Sequence, residues 1–227
     1  MAVSEGRASG RPRDERASRG GDKRERILRA AVKVFARKGF YASRVAEIAK
    51  AAGVADGTIY LYFKSKDELL TSLFEDRIVR LLQLLRDESG KHPSGAGRLR
   101  QMIELQLGLL EGERDLAEVI TVNLRQSSKL LKQFATRRFT EYLELMASVV
   151  ADAQRAGEFR ADVSPRVMAR AIFGALDGIA LTWALGNPEP GGLKRAASQL
   201  ADVLLHGLSA SLPSGAEAGA RAPSVSG

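Results

Sequence analysis

Between Gly39 and Asp67 the chain reads GFYASRVAEIAKAAGVADGTIYLYFKSKD, and no other stretch restricts the possible folds as much. Ser43 is placed to cap a short helix running roughly from Arg44 to Ala51, with Val45, Ile48 and Ala49 on its inward face. Ala52-Gly53-Val54 makes the turn, and Gly53 supplies the positive φ that a sharp helix-to-helix turn needs. A second short helix covers about Ala55 to Leu61. An aromatic cluster and a basic entry to a further helix follow. In a helix-turn-helix the first helix crosses the DNA backbone and the second enters the major groove. Sequence-specific DNA binding is therefore the leading expectation.

The flanking segments fit an all-α chain of about nine helices. Residues 1–22 are rich in Gly, Ser, Arg and Ala and read as a disordered tail. From Lys23 the residues Ile27, Leu28, Ala31, Val34 and Phe35 fall at helical spacing. Asp22 and Glu25 are placed as a capping box, and Gly39 stands where a helix ends. Ser65 and Glu68 form a second such box before a helix extending towards Glu88. After the break SGKHPSGAG, helices are expected over about 97–111, 115–124 and 127–155. Pro165 starts another that ends at Leu185, and the last spans about 190–210. Residues 211–227 read as a second disordered tail. The boundaries are thus a three-helix DNA-binding domain over 23–70 and a helical ligand-binding and dimerisation domain over 71–210.

The helix that would enter the groove must be small at its start, and Ala55-Asp56-Gly57-Thr58 meets that need. Asp56 can cap the helix or accept from a cytosine amino group. Gly57 allows close approach, and Thr58 offers a hydroxyl or a methyl. An ordinary capped helix start explains the same four residues. Ile59, Leu61 and Phe63 read as packing residues. Tyr60 and Tyr62 carry polar tips, one of which can reach a phosphate oxygen. Lys64 and Lys66 flank the next helix N-terminus and Arg44 that of the preceding helix. With Ser43 they make a candidate phosphate-gripping rim, although each cation alone is equally an ordinary solvated charge. Charge distribution supports the rim: residues 23–70 hold eleven Lys/Arg against five acids, whereas residues 71–227 hold nineteen against eighteen.

The second half is apolar and helical. Val167, Ala171, Ile172, Ala175, Ile179 and Leu181, with Gly174 and Gly178, could join Leu193, Ala196, Leu200, Val203, Leu204 and Leu208 in a four-helix dimer interface. Completing a monomer core is the plainer alternative. A two-fold reader places its recognition helices roughly 34–36 Å apart, which favours a homodimer. Polar and aromatic residues within the apolar helices suggest a pocket: Asn123 and Gln126, then Phe139 and Tyr142, then Phe173, Asp177 and Trp183. By type each is more often a core residue than a ligand contact. Lys129, Lys132, Arg137 and Arg138 could meet an anionic head group or form a solvated face.

Residues 24–70, carried by RILRAAVKVFARKGF and GTIYLYFKSKDELL, resemble the DNA-binding domain of the TetR family of bacterial regulators. The resemblance implies a homodimer that binds a double-stranded operator and is controlled by a small-molecule effector. VADGTIYLYFKSKDELLTSLF, ITVNLRQSSKLL and ARAIFGALDGIALTWAL are similar to the FadR-type group within that family. This implies a repressor of fatty-acid degradation released by long-chain acyl-CoA, with an apolar acyl tunnel and basic residues at its mouth. A hydrophobic drug or metabolite as effector, or an architectural DNA-binding protein without ligand control, are the competing readings. With no cysteine, two histidines, and no nucleophile–base pair or Gly-rich phosphate loop, no enzyme, metal or cofactor is expected. The N-terminus lacks an apolar signal region and no run of about 18 apolar residues occurs. A cytoplasmic protein without membrane attachment is expected.

Overall fold

The computed structural model describes residues 12–123, 137–187 and 189–208. Among the described residues the chain forms nine helices and no β-strand. They are α1 (Pro12–Lys38), α2 (Val45–Ala52), α3 (Asp56–Tyr62), α4 (Lys66–Ser89), α5 (Gly95–Glu111), α6 (Arg114–Thr121), α7 (Arg137–Arg155), α8 (Pro165–Leu185) and α9 (Gly192–Leu208).

The expected inward face of α1 is the one buried: Ile27, Ala31 and Phe35 are fully enclosed, and Leu28 and Val34 nearly so. Its start differs from the expectation. The helix begins at Pro12, so Asp22 lies inside it and caps nothing, and residues 12–22 are helical rather than a tail. Glu25, expected in a capping box, instead accepts from the Arg80 guanidinium of α4 at 2.8 Å. Residues 12–22 carry no apolar periodicity, so only continuity with the packed part marks this turn-by-turn extension. The expected helix over 127–155 is described from Arg137 onward.

Gly95 lets α5 begin directly against α7. A Cβ at that position would lie 2.3 Å from the Ala153 Cβ. The exposed amides of this helix start are then satisfied from a distant segment. Glu158 accepts from the Gly95 and Ala96 N–H groups, both at 3.0 Å, and Ser94 Oγ accepts from Gly97 N at 3.0 Å. These amides hold the Glu158 carboxyl below the usual carboxylate range.

Helix α5 packs on α4, α7 and α9, while α8 rests on α6, α7 and α9, and α1 spans α2, α4 and α6. By length and composition alone α8 is apolar enough to cross a membrane, and 33% of its most apolar window is buried. Val167, Ala171, Gly174 and Gly178 form an exposed stripe at three- and four-residue spacing along it, continued through half-buried Leu181 to exposed Leu185. A Cβ on Gly174 or Gly178 would meet nothing within 4 Å. Ile172 and Leu193, expected on the dimer face, belong instead to the core of the single chain. Val203 on α9 is 71% exposed, and Leu200, Leu204 and Leu208 are half-buried.

Candidate nucleic-acid interface and ligand core

The turn between α2 and α3 is a Schellman closure. Gly53 has φ +65°, its N–H donates to Lys50 O at 3.2 Å, and the Val54 N–H donates to Ala49 O at 3.0 Å. Arg26 of α1 donates to Ala52 O at 2.8 Å, satisfying a carbonyl that the helix end leaves open. Helix α3 has seven residues and is anchored by Ile59 and the following Phe63, each 1% exposed. The Arg24 guanidinium lies over the Phe63 ring, 5.5 Å from its centroid.

On this scaffold Arg44, Ala55, Asp56, Gly57, Tyr60 and Lys64 are exposed, and Thr58 and Tyr62 are half-buried. Arg44 stands at the start of α2, and the others run along α3 and the approach to α4. Two members of the expected rim do something else. Ser43 is buried and its Oγ donates to Phe40 O at 2.7 Å; the N-cap of α2 is Arg44, whose N–H donates to Glu47 Oε2 at 3.1 Å. Lys66 folds back, and its Nζ donates to Phe40 O at 2.7 Å, Ser43 O at 2.9 Å and Tyr41 O at 3.2 Å. The ammonium also lies 4.6 Å from the Phe40 ring centroid. Partial burial lowers its pKa from the ordinary lysine value. Lys66 thus fastens the α1–α2 loop. The cap of α4 is as expected in Ser65, which accepts from Glu68 N at 3.1 Å, while Glu68 takes the Lys64 amide at 2.7 Å.

Leu61 was expected to pack and does not: it is 82% exposed. Reading Ile59, Leu61 and Phe63 as one face applies a two-residue period to a helix. At 3.6 residues per turn only the first and third coincide. Tyr41, 63% exposed beside the fastened loop, was not singled out by the sequence. Its exposure between buried Phe40 and Ser43 carries no periodic signal in so short a loop.

The expected ligand residues divide into three groups. Asn123 is 2% exposed and its Oδ1 accepts from the Phe40 N–H at 2.7 Å. It therefore joins the end of α6 to the α1–α2 loop instead of lining a pocket. Phe139, Tyr142 and Phe173 come together as expected. The Phe139–Phe173 centroids are 5.0 Å apart, and Tyr142 lies 6.1 Å from each of the two rings. The Tyr142 hydroxyl donates to Gln106 Oε1 at 2.5 Å, and Gln106 Nε2 donates to Met102 O at 2.8 Å. Burial pushes the Tyr142 phenol far above its ordinary range, with Asp177 adding repulsion. Gln106 is the polar member that sequence reading missed, because nothing local separates it from Gln101 and the other polar residues of α5. Trp183 sits apart, packed towards Gly192 at the α8–α9 junction, and its indole N–H is buried without a hydrogen-bond partner. Gln126 and Lys129 lie outside the described residues, as does Lys132.

An open cleft of about 590 Å³ separates α1 from the start of α6 and is lined by Arg26, Arg29, Lys33, Arg77 and Arg114. Three of these cations are already engaged: Arg26 with Ala52 O, Arg77 with Glu113 at 3.6 Å, and Arg114 with Gly186 O at 3.1 Å. The cleft mixes these cations with Glu113, Asp115 and apolar Ala30, Val32 and Leu116, and is formed by residues other than those of the aromatic cluster.

Residues 27–73 match the family model described as bacterial regulatory proteins, tetR family, and residues 74–207 match that of the YsiA-like protein C-terminal region. The chain is 32% identical over 182 residues to the fatty acid metabolism regulator protein of Bacillus subtilis, covering 80% of this chain and 93% of that one. Its fold is similar to the transcriptional regulator FadR from Bacillus subtilis in complex with stearoyl-CoA, with TM-score 0.75, 30% identity, and 81% and 98% of the two chains covered. The fatty acid degradation regulator FadR from Bacillus halodurans gives the same TM-score, identity and coverage.

Proposed function

Because the chain belongs to the TetR family of bacterial transcriptional regulators, we propose that it is a cytoplasmic homodimeric repressor of fatty-acid-degradation genes, released from its operator by long-chain acyl-CoA. The observation that carries this reading is its 30% identity, across 81% of its length, with a regulator crystallised with stearoyl-CoA. The aromatic cluster of Phe139, Tyr142 and Phe173 supports it. An acyl chain would have to part these rings, after which apolar surface would surround it, and a thioester carbonyl would have to draw a donor from the Tyr142–Gln106 pair.

The DNA-reading face in this proposal comprises Arg44, Ala55, Asp56, Gly57, Thr58, Tyr60, Tyr62 and Lys64. Ser43 and Lys66 act from behind by shaping the loop. The occupant of the exposed α8–α9 face is a second copy of this chain. The face combines a stripe of small residues, which permits close helix approach, with exposed Val167, Leu185 and Val203 at its margins. Acyl-CoA then acts by population shift: it must bind the operator-incompetent arrangement better than the operator-bound one. Among the described residues, the Asn123–Phe40 hydrogen bond is one polar contact through which such a shift can reach the α1–α2 loop.

The test is binding to DNA upstream of the chain's own operon at fixed salt, across saturated acyl-CoA chain lengths, free CoA and free fatty acid. Release by long acyl-CoA alone agrees with the proposal. Specific binding that ignores every member of the series discards the acyl-CoA effector and points to another apolar ligand. Equal affinity for operator and random DNA identifies an architectural binder.

A further inference from the structure

We infer that Leu61 is a base-reading residue, and that each operator half-site presents to it a thymine whose C5-methyl group it covers. The starting observation is an energetic oddity. Leu61 is the most exposed large apolar side chain among the described residues, at 82%, while its neighbours Ile59 and Phe63 are at 1%. Helix α3 has seven residues, and Ile59 within it and Phe63 just after it already bury its inward face. Among the described residues the core does not use the Leu61 side chain.

Its position on the helix says what can use it. Residues four apart share a face, so Gly57 and Leu61 stand one above the other on the side opposite Ile59 and Phe63. A Cβ on Gly57 would meet nothing within 4 Å, so the outermost ridge of α3 is bare for one turn and then carries one bulky apolar group. Exposed Asp56 and Tyr60 flank that ridge, and exposed Arg44 and Lys64 stand at the start of α2 and just beyond α3. Cations at the margins and an uncharged ridge at the centre suit a duplex, whose phosphates lie at the edges of the groove and whose base edges lie at its floor. The ridge is the part of the helix that enters deepest. Among base edges in the major groove, the thymine methyl is the apolar group that a leucine can cover. This assignment rests on the chain being a DNA-binding regulator and is independent of the effector.

The test uses the full-length protein and duplexes selected from a random-sequence library. Failure to select any sequence would overturn the DNA-binding reading itself. With a selected duplex in hand, each thymine is replaced in turn by deoxyuridine, which removes only the methyl. Covering one methyl corresponds to about fourfold in affinity. At one thymine per half-site, uracil should weaken wild-type binding by about that factor, while Leu61→Ala should bind the two duplexes equally. Because Leu61 is exposed, the variant should keep the wild-type melting temperature, and its binding to nonspecific DNA should be unchanged. Selection repeated with Leu61→Gln should lose the preference for thymine at that position and nowhere else. Two results overturn the inference: no thymine at which uracil matters for the wild type, or a uracil effect of the same size in Leu61→Ala.

Discussion

Replacing Asn123 with alanine removes one oxygen atom on which two parts of the molecule meet. The Oδ1 accepts from the Phe40 amide at 2.7 Å across 83 residues of sequence, at a site 2% exposed. Water cannot take over as acceptor without opening the contact between α6 and α1. The Phe40 N–H would be left buried and unpaired, a condition that costs about 1–3 kcal/mol. The loop does not collapse, because Lys66 and Ser43 still hold Phe40 O from the other side. The damage is therefore a loosened junction in a folded protein. Urea unfolding should show a loss of about 1–3 kcal/mol with an unchanged slope. Amide exchange at Phe40 should accelerate while that of the Ile27–Phe35 core stays slow. Operator affinity should fall, and the fold-change caused by stearoyl-CoA should shrink even though its binding constant is kept. Stability within about 0.5 kcal/mol of wild type, together with unchanged exchange at Phe40, would refute the reasoning: the bond would then be carrying neither stability nor coupling.

Three further perturbations follow from described contacts. Lys66→Met should destabilise by about 1.5–3 kcal/mol in urea titration, since a charged donor to three carbonyls is lost; a change confined to the salt slope of operator binding would instead make Lys66 a plain phosphate contact. Glu158→Gln should cost up to about 1 kcal/mol at neutral pH. The folded pKa of Glu158 is depressed, so its contribution is present above the ordinary glutamate range and lost as pH falls through the folded value. Wild type and Glu158→Gln should therefore converge in thermal stability on acidification, and a constant gap would contradict the helix-capping role. Gly174→Arg places a charge on the open stripe of α8 and should yield monomers in sedimentation without lowering helicity; an unchanged dimer would mean that another face pairs.

Local chemistry made much of the fold legible in advance. Gly39 and Gly53, both at positive φ, end helices where a glycine was expected to do so. Ser65 caps α4, and Pro165 opens α8. The apolar spacing of α1 named the residues that are buried. What could not be read depends on partners far away in sequence. Lys66 and Lys64 look alike on paper, and only the return of the α1–α2 loop turns one of them inward. Asn123 resembles a pocket residue because it follows an apolar run, whereas its acceptor role needs Phe40 to be known as its neighbour. Leu61 was misread for another reason, the wrong period. On a helix of seven residues, one misassigned position exchanges a core residue for the residue that faces outward.

Trp183 gives the molecule an optical property. It is the sole tryptophan in the chain, and its ring lies near Gly192 at the α8–α9 junction, where a Cβ added to Gly192 would lie 3.7 Å from the indole nitrogen. Its emission consequently comes from one place, beside the apolar face that a second copy would cover. A partly exposed ring whose N–H has no acceptor responds to local water. If the proposed dimer covers that face, dilution to monomers should move the spectrum towards the red. The unlabelled protein can thus be followed by its own fluorescence as it assembles.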